Sequence, residues 1–180
     1  MGRRTSYTRK ERAAVMTTMP RMRWLVLGVI ALAAGLRLYW IGVGSLDIDE
    51  AFSVWVSRHP WQGIWAVLAR FDDHPALYYV VLHFWMRLAG DHELALRLLS
   101  ILCGVVTIPL TYWLGSIVGG QRLGLLAAFL MAVSPENVQW SQEARMYALE
   151  TLALVLAMCG LAWLLAHPRP PADCRANASP

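Results

Sequence analysis

A chain of 180 residues that is 57% hydrophobic, only 16% charged and holds nine tryptophans departs from the proportions of a soluble domain and points to a membrane protein. The net charge of +4 does not indicate nucleic acid, because the basic residues gather near the N-terminus without interleaved aromatics, a distribution that membrane orientation explains. Cys103, Cys159 and Cys174 have neither CxxC spacing nor an even number, which excludes a disulfide framework and a cysteine-based metal cluster.

In chain order, residues 1–23 carry Arg3, Arg4, Arg9, Lys10, Arg12, Arg21 and Arg23 against Glu11, with no long apolar run, and read as a cytoplasmic tail. Trp24 to Val43 is interrupted only by Arg37 and is long enough to cross a hydrocarbon core of roughly 30 Å. Its apolar core is too long for a signal peptide and no small-residue cleavage site follows, so it reads as an uncleaved anchor. The basic residues before it place residues 44–75 outside the cytoplasm.

That interval is polar yet tryptophan-rich. Ala51 to Val56 reads as part of a short helix, and Trp61, Ile64, Trp65 and Leu68 have the spacing of an amphipathic helix. Both suit the membrane interface, with His59-Pro60 as the break between them. Ala76 to Met86 is apolar but short for a crossing. Leu94 to Val118 is longer, with a kink expected at Pro109. Residues 119–122 form a turn, Leu123 to Val133 is apolar again, residues 134–137 interrupt it, and Ala148 to Ala166 is a clear crossing. The proline-rich stretch 167–180 reads as an unstructured tail. The fold class is therefore all-α, a polytopic helical membrane protein: a module over 24–166 with interfacial helices in its first external loop. Two arrangements are open. If every apolar segment after residue 75 crosses, residues 142–145 face the cytoplasm; if 76–86 does not, they lie beside Asp49.

Asp47, Asp49 and Glu50 put three carboxylates within four residues at the water end of the first span, a concentration that suits acid/base chemistry, although acidic residues also favour a solvated helix start. Arg37, inside an apolar run, is costly unless functional or able to reach the interface. Arg87 and Arg97 read as orientation markers. His74, before Pro75, marks a loop-to-helix junction and could donate to a ligand.

Ser45-Leu46 with Asp49-Glu50-Ala51, His74-Pro75-Ala76-Leu77-Tyr78-Tyr79, Arg97-Leu98-Leu99-Ser100, Ser134-Pro135 and Ser141-Gln142-Glu143-Ala144-Arg145-Met146-Tyr147-Ala148-Leu149 come in an order that resembles the N-terminal module of membrane glycosyltransferases using polyprenyl-phosphate sugars. This GT-C group includes the protein O-mannosyltransferases and the aminoarabinose transferase of lipid A. The resemblance covers about residues 24–165. Ala76 replaces the second proline usual in the His-Pro-Pro-Leu landmark, and the group's members commonly run to several hundred residues, so a fragment or truncated copy is expected.

The resemblance implies transfer of a sugar from a polyprenyl-phosphate donor to an acceptor on the extracytoplasmic side. Asp49 would take the acceptor proton, and Glu50 would orient the acceptor or hold a divalent metal ion. Arg37, Arg145 and His74 would meet the donor phosphate, with Arg97 as a further candidate, a task for which the guanidinium fork is suited. The cofactor is left open to a divalent metal ion, for which no set of ligating residues is assigned. The partners are the lipid-linked sugar and the bilayer. The alternative is a non-catalytic membrane protein that binds a lipid-linked sugar or a partner.

Overall fold

The structure, a computed structural model, describes residues 9–39, 41, 47–71 and 75–167. His74, Ser45-Leu46 and the tail after His167 lie outside the described residues. Every regular element among the described residues is a helix, as expected.

Helix α1 spans Arg9–Leu38. It reaches back through the basic segment that was expected to be a tail, since arginine, lysine, alanine and methionine there are strong helix formers, and it stops at Leu38, short of Val43. Helix α2 (Ile48–Ser57) and helix α3 (Trp61–Phe71) follow, separated at Arg58–Pro60. In α3 the expected apolar face divides: Ile64 and Leu68 are buried, whereas Trp61 and Trp65 point outward, as tryptophans at a membrane interface do.

Helix α4 (Ala76–Ala89) rises only about 21 Å at 1.5 Å per residue, too little for a hydrocarbon core of about 30 Å. It packs against α2 and α3 through Tyr78, Tyr79 and Leu82. His83 Nδ1 bonds the Ser57 carbonyl at 2.8 Å, and Trp85 Nε1 donates to the Ala95 carbonyl at 2.7 Å. These contacts tie α4 to α2 and to the start of the next helix.

Helix α5 (Glu93–Val133) is two arms. The backbone stays helical through Pro109, where a kink was expected, and breaks instead at Gly119 and Gly120, the latter at φ 84°. Glycine alone adopts that left-handed conformation without a Cβ penalty. The second arm folds back along the first, so that Gly124 lies against Gly115, while Ala128 and Ala132 share a buried cluster with Ile108 and with Ala33 of α1. Helix α6 (Pro135–Gln142) begins with proline at its first position, where the missing N–H is no loss, so 134–137 is the junction of two helices. Helix α7 (Tyr147–Ala166) then runs along α5.

Helices α5 and α7 are long and apolar enough to cross a membrane. Leu154, Leu161 and Leu165 on one side of α7 and Leu156 and Trp163 on the other are exposed, apolar surface suited to hydrocarbon. The chain is a helical membrane protein. Helices α1 and α7 flank α5, and α2, α3 and α4 cover one end of this bundle. Residues 143–145 lie at that same end, beside α2.

Candidate functional site

The site forms where the first turn of α2 meets the start of α5 and the turn between α6 and α7. Glu50 and Asp49 are adjacent in sequence and point to different environments, because successive helical residues are turned by about 100°.

Glu50 is buried. Its Oε1 accepts from Arg97 Nε at 3.2 Å and from the Ala144 backbone N–H at 2.7 Å. Its Oε2 accepts from Arg97 Nη2 at 3.0 Å and from the Asp47 N–H at 3.1 Å, which caps α2. Burial alone would raise this carboxyl group, but the hydrogen bonds from Arg97, Ala144 and Asp47 together with the Arg97 charge outweigh it and hold the group below its ordinary value. Arg97 also pairs with Glu93 at 2.9 Å and donates to the Ile41 carbonyl at 2.9 Å. One buried ion pair thus joins α2, α5, the segment after α1 and the α6–α7 turn.

Asp49 faces the other way, its side chain 62% exposed, and accepts from Arg145 Nη1 at 2.7 Å. Arg145 is 21% exposed, and its guanidinium carbon sits 5.0 Å from the centre of the Tyr147 ring, close enough for a cation–π attraction. Its Nε is buried and has no hydrogen-bond partner, an unused donor next to an accessible carboxylate.

The turn carrying Arg145 is held by Gln142, whose side-chain amide donates to the carbonyls of Leu36, Arg37 and Tyr39 at 3.2, 3.3 and 2.6 Å. These are carbonyls at the C-terminal end of α1, which lack intrahelical partners. Gln142→Ala should therefore loosen both elements and cost about 1–3 kcal/mol, the desolvation penalty of unpaired polar groups, measured as a lower unfolding midpoint in detergent.

Arg37 does not join Asp49. It is 1% exposed, with Nε donating to Ser141 Oγ at 3.1 Å and Nη1 donating to the carbonyls of Ala33 and Ala132 at 3.2 Å each. Instead it ties α1, α5 and α6 together. Gly104 makes room for it: a Cβ there would stand 2.9 Å from Arg37 Nε and 3.0 Å from Ser141 Cβ. Gly104→Ala should cost about 1–3 kcal/mol by overpacking, read as a reduced thermal midpoint with helical content retained.

Arg97 corrects the sequence reading in the other direction. Taken as an orientation marker, it is the buried partner of Glu50. Its setting among leucines was a signal, since a charge in an apolar stretch needs a counter-charge. Glu50 was expected to orient an acceptor or hold an ion; in the structure four donors occupy its two oxygens. Among the described residues no three His, Cys, Asp or Glu side chains converge for a metal ion.

Residues 73–170, more than half of the chain, match the family described as dolichyl-phosphate-mannose-protein mannosyltransferase. The chain belongs to this family. Membership carries glycosyl transfer at the level of the family and accords with the helical membrane architecture. No curated protein and no solved structure matches the chain. The stretch matched to the mannosyltransferase family contains Arg97, Ala144 and Arg145, and the helix carrying Asp49 and Glu50 precedes it.

Proposed function

We propose that the chain forms the acid/base end of a membrane glycosyltransferase, which moves a sugar from a polyprenyl-phosphate donor to an acceptor hydroxyl outside the cytoplasm. The observation that carries this reading is the accessible Asp49–Arg145 pair at 2.7 Å, assembled from residues 96 apart in sequence and seated on a buried ion pair that fixes both backbones.

Asp49 is the general base. The acceptor hydroxyl gives its proton to the Asp49 carboxylate as its oxygen bonds to the anomeric carbon. The bond from that carbon to the phosphate oxygen breaks, and polyprenyl phosphate leaves with the electron pair. Arg145 meets the negative charge that grows on the leaving phosphate. In the free protein the two side chains hold each other; a phosphate on Arg145 releases Asp49 towards the acceptor.

A mainly apolar groove of about 220 Å³ is lined by Pro75, Leu77, Tyr78, Met146, Leu149 and Ala153, with Glu150 also on its wall, and Met146 follows Arg145 in the chain. It offers a prenyl chain a dry surface next to the cation that takes its phosphate. His74, outside the described residues, is retained from the sequence as a proposed phosphate contact. Glu50 acts on position: it holds Asp49 and Arg145 in register through Arg97 and the Ala144 N–H.

Binding of polyprenyl phosphate tests these assignments separately. Arg145→Gln should weaken it at least tenfold, the scale of one charged hydrogen bond of about 1.5–3 kcal/mol, while Asp49→Asn leaves it within about twofold. Equal losses in both variants would remove the division of labour. Sidedness is tested by single cysteines introduced in place of Gln139, Asp91 and Arg122, all exposed, in a chain without its native cysteines. An impermeant thiol reagent added outside intact cells should label the first two and spare the third. Protection of the cysteine at 139 would take Arg145 out of the extracytoplasmic mechanism.

A further inference from the structure

At the opposite end of the bundle, α1 and the hairpin turn of α5 leave a cleft of about 540 Å³, lined by Arg21, Met22, Leu25, Gly120, Gln121 and Arg122. Arg21 and Arg122 are exposed, and among the described residues neither has a carboxylate partner. The second arm of α5 starts at this cleft, so its first backbone N–H groups add partial positive charge. The cleft is open to its surroundings. It continues into an apolar groove of about 360 Å³ formed by Leu25, Val29, Leu125, Leu126 and Phe129, with Leu25 and Arg122 lining both. Trp24, 74% exposed, stands next to Leu25 in sequence, where an indole would sit at a headgroup boundary.

A cationic cleft joined to an apolar groove has the two-part chemistry of an amphiphile. From this continuity we infer that the end of the bundle opposite Asp49 holds a membrane lipid with an anionic phosphate headgroup, its phosphate between Arg21 and Arg122 and one acyl chain along Leu25, Val29, Leu126 and Phe129. Arginine suits the phosphate because its fork makes paired hydrogen bonds. A free phosphate ion would leave the groove unused, and a zwitterionic lipid would leave the two arginines uncompensated. The bound lipid fastens α1 to the α5 hairpin at the end remote from the acid/base residues. The inference does not depend on Asp49 or on the transfer reaction.

Native mass spectrometry of the purified chain in detergent, with equimolar phosphatidylglycerol and phosphatidylcholine, tests it. The chain should retain phosphatidylglycerol preferentially. Arg21→Gln with Arg122→Gln should lower that retention about 25-fold, at roughly fivefold for each charge, while Arg87→Gln at the other end leaves it unchanged. Leu126→Trp, which fills the groove, should also reduce it. Millimolar inorganic phosphate should not displace the lipid. Equal retention of both lipids by the unaltered chain would reduce the groove to ordinary lipid contact and overturn the inference. An unchanged preference in the double variant would also overturn it. So would displacement by inorganic phosphate with no effect of Leu126→Trp, which would leave a bare anion site.

Discussion

Glu50→Ala should lower the stability of the chain by about 3–5 kcal/mol, the cost of stranding one partner of a buried ion pair. Arg97, 9% exposed at its side chain, would lose the carboxylate that meets its Nε and Nη2, and the Ala144 and Asp47 N–H groups would lose their acceptor. Few single changes reach this size; here four donors depend on two oxygens. The measurement is an equilibrium or thermal unfolding transition in detergent, followed by circular dichroism. A shift worth less than about 1 kcal/mol would show that Arg97 finds water or Glu93 instead and that the pair does not organise the site. Replacing both partners, Glu50→Leu with Arg97→Met, should recover part of the loss, since no charge is then stranded. Recovery stays incomplete because the Ala144 and Asp47 N–H groups remain unpaired.

The same pair sets an acid limit. The folded-state value of Glu50 lies below its ordinary value of 4.5, so folded Glu50 binds its proton less readily. Its stabilisation is full above the unfolded value and is lost as pH falls through the folded one. Between pH 5 and 8 this group should contribute no pH dependence, and the unfolding midpoint should fall only below about pH 4. Glu50→Ala should flatten that acid limb.

How much of this could be read from residue order depends on range. Hydrophobic runs and punctuation placed α2, α3, α4 and α7 within a few residues, and Gly119-Gly120 marked the hairpin. Those signals are local. The fate of an arginine in an apolar run is not local: Arg37 and Arg97 look alike in sequence, yet one is consumed by Ser141 and two carbonyls and the other by Glu50. The difference is set by which helix end each faces. The pairing of Asp49 with Arg145 was out of reach of the sequence, because it depends on how α4 packs on α2 and α3 and on where the α6–α7 turn falls, 96 residues further along the chain. The Ala144 N–H was invisible from sequence, since any residue other than proline supplies that donor.

Asp49→Asn should reduce the chemical step by about 10²–10⁴-fold, the usual contribution of a positioned proton acceptor. Asparagine has nearly the shape of aspartate and keeps an oxygen for Arg145, so the turn should remain in place. With the Asp49 side chain 62% exposed and an oxygen kept for Arg145, the unfolding transition should stay close to that of the unaltered chain. That separates this variant from Glu50→Ala, whose loss of activity would follow its loss of structure. Single-turnover transfer from a labelled polyprenyl-phosphate sugar, at saturating donor in proteoliposomes, isolates the step from binding. The expected signature is a fall in rate with donor affinity preserved, the mirror image of Arg145→Gln, where affinity falls first. Asp49→Glu should restore part of the rate, because the longer side chain keeps a carboxylate at the same mouth, displaced by one methylene. If Asp49→Asn turns over at the unaltered rate, the proton goes elsewhere and Asp49 is left as the surface partner of Arg145. If Asp49→Glu is as inactive as Asp49→Asn, position to within about 1 Å governs the step, as expected of a near-attack geometry.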